Sequence, residues 1–225
     1  FAISIGVLRN PILITLSKGL EKFLYRRADR VMVNSPGYLD HVSLRGGRWV
    51  ELVPNGADPA MFDPLSNGAS FREKWHLDGK FVALYAGAHG ISNDLPVVLA
   101  AANQLREHRQ IIFAFVGDGK EKNHLMQQAK EMELENVVFI PPAPKNEMCE
   151  VLAAADACIA ISKPLEMYKT TYPNKVFDYM AAGRPVVLAI DGVIREVVEK
   201  AGGGIFCPPG DSAILARVIL ELSQN

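Results

Sequence analysis

The sequence predicts a doubly wound α/β domain, and three observations carry the prediction. Beyond residue 80, short β-rich apolar runs alternate with stretches of helical spacing. Those runs are apolar at consecutive positions, as parallel strands covered on both faces are. The stretch from Pro173 to Val187 condenses the scheme into a helix, a stop at Gly183, a Pro185 that cannot prolong the helix, and a buried strand. Right-handed crossovers between six such strands give a Rossmann-like parallel sheet with helices on both sides.

Taken in order, the chain first offers a helix over 12–28 that sets Leu13, Leu16, Leu20, Phe23 and Leu24 on one face, with Lys18, Lys22, Arg26 and Arg27 around it. That face is expected to pack against the rest of a first domain. A basic amphipathic helix also suits an anionic membrane surface, so peripheral membrane contact is the alternative. Strands at Val31–Asn34 and Glu51–Pro54 flank a short helix. Two strands cannot bury both faces of a sheet, and the chain opens on Phe1 rather than Met. Residues 1–55 therefore read as a truncated remnant of an N-terminal domain, and the chain as a fragment of a longer protein. Residues 56–79, rich in Pro, Gly, Asp and Ser, read as a linker. Residues 80–225 make the doubly wound domain.

Its strands are expected at Phe81–Ala86, Ile111–Val116, Val137–Ile140, Ala157–Ile161, Val186–Ile190 and Gly204–Cys207. Helices are expected at 95–107, 121–133, 146–155, 174–182, 193–201 and 211–223. Open α/β sheets hold ligands at the carboxyl ends of their strands, so the loops there supply the candidates. Gly87, Ala88, His89 and Gly90 follow the first strand; the glycines permit close backbone approach, and the imidazole could donate to a phosphate oxygen. Asn93 or Asp94 is expected to cap the next helix, and Asp118, in the turn Val116–Gly119, the one after. Pro141–Pro144 is a stiff loop whose carbonyls and amides, at Pro142 and Ala143, can read the edge of a base. Glu166, Lys169 and Thr170 bring a carboxylate, a cation and a hydroxyl to a loop before the key helix. The first turn of that helix, at Pro173, Asn174 and Lys175, offers free N–H groups at the positive end of a dipole, a site for phosphate. Asp178 lies about one turn further in, within reach of a sugar hydroxyl.

Composition narrows the function. With 49% hydrophobic and 22% charged residues the chain is globular, and a net charge of −1 gives no broad surface for nucleic acid. No apolar run approaches the roughly 18–20 residues that span a bilayer. Cys149, Cys158 and Cys207 are expected to be buried, reduced thiols, which suits the cytosol. No Asp-x-Asp motif and no Cys/His cluster has metal-ligand spacing, so no metal is expected.

In combination, these motifs resemble the carboxy-terminal part of GT-B glycosyltransferases of family GT4. The resemblance rests on Ala28–Ser35, Val53–Phe62, Val116–Gly119, Ala154–Ala157 and Phe177–Val187, which recur in that order in the family. It implies a GT-B C-terminal domain that binds a nucleotide-diphosphate sugar, UDP-linked and without a further cofactor, for retaining transfer to a glycan or lipid-linked acceptor held by the other domain. The subgroup it suggests transfers amino sugars of the N-acetyl-fucosamine kind in surface-polysaccharide assembly. Asp178 matches the second acid of the family's E-x7-E motif, which binds the ribose hydroxyls. The first acid falls on Thr170, with Glu166 as a substitute if the loop folds inward. The family's Arg and Lys pair is absent from Gly87–Leu95, so diphosphate charge is left to backbone amides at 87–90 and 173–176, with Lys175 or Lys169 as the cation. Thr170, Glu166 and Lys175 are thus the catalytic candidates. Gly87, Ala88, His89, Gly90, Pro142, Ala143, Lys169, Pro173, Asn174 and Asp178 are the donor-binding ones. The fragment is expected to bind donor without transferring sugar, in the cytoplasm or at the inner face of the cell membrane. A nucleotide-sugar epimerase on the same scaffold and a degenerate, non-catalytic partner protein remain as alternatives.

Overall fold

The computed structural model describes residue 3 and residues 8–224, and the chain divides into two compact units. The first contains residues 1–55, 165–173 and 192–194; the second contains the rest.

In the first unit, α1 (Pro11–Arg27) begins at Asn10, whose side chain accepts from the N–H groups of Ile12 and Leu13. Arg26 and Arg27 sit at its carbonyl end, where the dipole favours positive charge. Its apolar face stays open within this unit, with Ile12, Leu13, Leu16, Leu20, Phe23 and Leu24 between 51% and 68% exposed. Another face of the helix carries Glu21, which pairs with His41 on α2 (Leu39–Leu44) at 2.8 Å and with Arg45 at 3.2 Å. β1 (Val31–Val33) and β2 (Val50–Leu52) pair in parallel. The segment 165–173 is stitched to them: Ser35 Oγ donates to the Thr170 carbonyl at 2.6 Å, and Asn55 Nδ2 to the Tyr172 carbonyl at 2.8 Å.

The second unit opens with the stretch that sequence composition marks as a linker. There Phe62 and Leu77 are buried, and a helix missed by that reading, α3 (Ala69–Lys74), carries Arg72 to within 2.7 Å of Asp156. Six parallel strands follow: β3 (Phe81–Ala86), β4 (Ile111–Val116), β5 (Val137–Ile140), β6 (Ala157–Ile161), β7 (Val186–Ala189) and β8 (Gly204–Phe206). Their order is β5-β4-β3-β6-β7-β8, so the direction of winding reverses between β3 and β6. In open sheets a ligand crevice forms at that reversal.

Between the strands run α4 (Leu95–Gln104), α5 (Lys122–Glu131), α6 (Met148–Ala153), α7 (Asn174–Ala181) and α8 (Val193–Ala201), with α9 (Ser212–Leu222) after β8. Alternation along the strands sorts the core into two layers. Ala83, Tyr85, Phe113, Phe115 and Ile159 cluster with α4, α5 and α9. Val82, Leu84, Ala114, Cys158 and Ala160, buried outside that cluster, point to the opposite face. Asp156 locks the entry of the sheet by accepting from Arg72 and from the Val82 N–H, both at 2.7 Å. Cys158 and Cys207 are buried free thiols as expected, whereas Cys149 is only half-buried, on the outer side of α6. Among the described residues no helix is long and apolar enough to cross a membrane.

Candidate functional site

Three strand ends and one helix build a cavity of about 450 Å³ within the second unit. Ala86, Gly87 and Ala88 leave β3, Val116, Gly117 and Asp118 leave β4, and Pro142 and Ala143 leave β5. Met148 and Leu152 of α6, with Lys175, Asp178 and Tyr179 of α7, complete it. The loops are held by their own backbone. Gly87 N donates to Val116 O at 2.9 Å, Gly117 N to Ile140 O at 3.1 Å, and His89 N to Asp118 O at 2.7 Å. The Tyr85 hydroxyl and Asn93 Nδ2 both donate to the Ala88 carbonyl at 2.8 Å.

α7 is fixed to the strand end by Tyr179. Its buried hydroxyl donates to the Ala86 carbonyl at 3.1 Å and accepts from the Ala86 N–H at 3.0 Å. The helix stops as expected. Gly183 takes a left-handed φ of 66°, its N–H bonds Met180 O, and the Arg184 N–H bonds Tyr179 O, the paired bonds of a Schellman cap.

Lys175 gives the cavity its charge. Its Nζ lies 4.0 Å from the centroid of the Tyr85 ring, and burial lowers its pKa to about 7. Gly87 leaves room for it: a Cβ on that residue, whose φ is 146°, would sit 2.8 Å from the ammonium. The ammonium rests on an aromatic face, and among the described residues no carboxylate pairs with it. Such a group gains most from an incoming anion. Asp178, one turn on, lines the same cavity, and burial raises its pKa against the lowering effect of Lys145. In the loop Pro141–Pro144 only Ala143 has an N–H, so that residue alone offers a base edge both a donor and an acceptor.

The structure thus brings together Gly87, Ala88, Pro142, Ala143, Lys175 and Asp178. Other expectations need correction. The His89 ring is fully buried among Tyr85, Phe115 and Phe139 and does not line the cavity, and burial, then the charge of Lys122, lowers its pKa to about 4. It is a neutral core side chain, unsuited to meeting a phosphate. Of the four amides at 87–90, those of Gly87 and His89 are spent on the Val116 and Asp118 carbonyls; Ala88 lines the cavity, and Gly90 is not among its lining residues. α7 begins at Asn174, and Pro173 before it has no N–H, so the helix's first-turn donors are those of Asn174, Lys175 and Val176. Asp94 occupies the N-cap position of α4, as expected, but sits left-handed at φ 48° and makes no side-chain cap bond, and Asn93 is turned to the Ala88 carbonyl. Asp118 does not cap α5 either, because its carboxylate accepts from the Gly119 N–H.

Glu166, Lys169, Thr170 and Pro173 belong to the first unit and are not among the cavity's lining residues. Glu166 does not fold inward: its side chain is 87% exposed and pairs with Lys169 Nζ at 2.7 Å. The Thr170 hydroxyl donates to the Met167 carbonyl at 2.8 Å. Tyr85, Met148, Leu152 and Tyr179 were missed as site residues. Tyr179 carries the one usable signal, since it shares with Val176 the buried side of α7.

Residues 80–225 match the family described as Glycosyl transferases group 1. Among curated relatives, the chain is 27% identical to a probable glycosyltransferase, WbjE, of Pseudomonas aeruginosa, over 97% of this chain and 56% of that protein. It is 28% identical to a putative colanic acid biosynthesis glycosyl transferase, WcaI, of Escherichia coli K12, over 75% of this chain and 43% of that one. The chain therefore spans about half the length of the curated relatives it matches. Among solved structures, HepE of Anabaena in complex with UDP-glucose superposes with a TM-score of 0.78 at 24% identity, covering 92% of this chain and 57% of that one. Sucrose-phosphate synthase of Thermosynechococcus elongatus gives a TM-score of 0.79 at 23% identity, covering all of this chain and 57% of its own. These neighbours share the GT-B fold, and the match over most of the chain identifies it as a member of the group 1 glycosyl transferases.

Proposed function

We propose that the chain binds a UDP-linked sugar and serves retaining transfer to a glycan or lipid-linked acceptor. The observation that carries this reading is a partly desolvated ammonium, Lys175, in the first turn of α7, lining a cavity at the carboxyl ends of the strands. In this reading the diphosphate lies against Asn174–Val176 and Lys175 Nζ, the ribose hydroxyls bond Asp178, and the base stacks among Met148, Leu152 and Pro142 with its edge on Ala143. Lys175 and the helix dipole then stabilise the charge that grows on the leaving diphosphate, without calling on a metal. Crystals of HepE with UDP and with UDP-glucose support the choice of nucleotide. The name of WcaI, a putative colanic acid biosynthesis glycosyl transferase, supports a role in polysaccharide assembly, and an amino sugar of the N-acetyl-fucosamine kind, which the motif resemblance suggests, is the sugar we assign.

Calorimetric titration with UDP, GDP and ADP tests the reading. UDP is expected to bind in the micromolar range and the purine nucleotides at least about tenfold more weakly, a difference of about 1.4 kcal/mol. Equal binding of all three would remove the base assignment. Binding of none would leave the non-catalytic partner as the better account.

A further inference from the structure

Burial disfavours the charged form of the Lys175 amine that lines the cavity, and the Tyr85 ring offsets that only in part. Among the described residues no carboxylate is paired with Lys175 Nζ, which lies over the Tyr85 ring. The groups around it do not supply the missing charge. From β3 comes the Tyr85 phenol, kept protonated by burial, with its hydroxyl committed to Ala88 O. From the following loop comes His89, a neutral imidazole. From the turn after β4 come Asp118, engaged with the Gly119 N–H, and Lys122, whose Nζ donates to Gly117 O at 2.8 Å. On its own helix lies Asp178, whose carboxyl burial raises and Lys145 lowers.

Resting on the donor-binding reading above, we propose that nucleotide-sugar binding is coupled to proton uptake: the diphosphate draws a proton from solvent onto the neutral Lys175 amine, turning it into the ammonium that then holds the ligand. The step is an acid–base equilibrium, amine plus solvent proton giving ammonium, and no covalent bond of the ligand changes. Gly87–Leu95 contains no Arg or Lys, and Lys175 is the one such side chain among the described residues lining the cavity, so this one proton supplies positive charge the site otherwise lacks.

The sign follows from linkage. In the free protein the Lys175 proton leaves as pH rises through about 7. The anion stabilises the charged form, so the complex keeps that proton to higher pH. Between those two values affinity falls as pH rises, by at most about tenfold per pH unit for one proton.

The test is calorimetric titration of the 225-residue chain with UDP-glucose, whose diphosphate diester has no group titrating near neutrality. At about pH 8, buffers of low and high ionisation enthalpy should give different apparent heats, amounting to a substantial fraction of one proton taken up per nucleotide. The Kd should rise several-fold between about pH 7 and about pH 8.5. Lys175→Arg carries a charge that does not titrate in this range, so it should bind with equal heats in both buffers and a flat pH profile. Lys175→Met, checked for folding by thermal unfolding, should bind about tenfold or more weakly and also without uptake. Wild-type binding with identical heats in both buffers, or uptake that persists in Lys175→Met, overturns the proposal while leaving donor binding intact. Failure of both UDP-glucose and UDP to bind overturns both readings together, and is told apart by the absence of any saturable heat with either.

Discussion

Burial drives protons off two neighbouring bases at the head of the sheet. Lys175 falls to about 7 and His89 to about 4, yet the first opens to the cavity and the second is sealed among aromatic rings. Both imidazole nitrogens are buried without a hydrogen-bond partner among the described residues. The unfolded chain holds an imidazole proton below about 6.5 that the folded chain refuses until about 4. Stability is therefore lost as pH falls through that window. His89→Phe removes the titration, so its melting temperature should drop less than that of the wild type between about pH 7 and about pH 5, while UDP affinity stays unchanged. An equal drop in both proteins would refute the assignment. Sequence could place His89 in the correct loop but not aim its ring, because a single loop position has no periodicity to read. Asp178 and Lys175 were legible because helical spacing fixes where each stands on α7.

At the scale of elements, α7 shows what local rules settle and what they miss. Its stop at Gly183 was legible from the glycine and the proline behind it, and a Cβ there would also press to 2.8 Å from Pro64. Its attachment to the sheet was not, since the Tyr179 bonds to Ala86 span 93 residues. Removing that hydroxyl strands a buried N–H and a buried carbonyl. Tyr179→Phe should therefore cost about 1–3 kcal/mol in denaturant unfolding. A loss below about 0.5 kcal/mol, within the range of an unimportant surface change, would contradict the role given to Tyr179. The strands of the sheet were read almost to the residue, because continuous apolar runs have one reading once helices lie between them. The cap bonds of α4 and α5 were misread for the opposite reason. Asn93 and Asp118 make competing bonds inside their own turns, to the Ala88 carbonyl and the Gly119 N–H, where several local hydrogen-bond choices are open to the same side chain.

For the molecule as a whole, the strand order with its reversal between β3 and β6 is what alternation and right-handed crossovers predict, and it locates the cavity. The division into units was less legible. Composition alone made 56–79 a linker, but Arg72, Phe62 and Leu77 fasten it to the larger unit. Residues 165–173, read as part of the doubly wound domain, instead group with the first unit, through bonds from Ser35 and Asn55 more than a hundred positions away. Thr170 and Glu166, two of the expected catalytic positions, lie in that segment and are not among the residues lining the cavity. The account therefore stands on α7. Its most direct test is a crystal structure of the chain soaked with UDP-glucose. Diphosphate oxygens should lie within hydrogen-bond distance of the Asn174–Val176 N–H groups and Lys175 Nζ, with the ribose on Asp178. A nucleotide bound elsewhere, or a diphosphate that leaves Lys175 without contact, would contradict it.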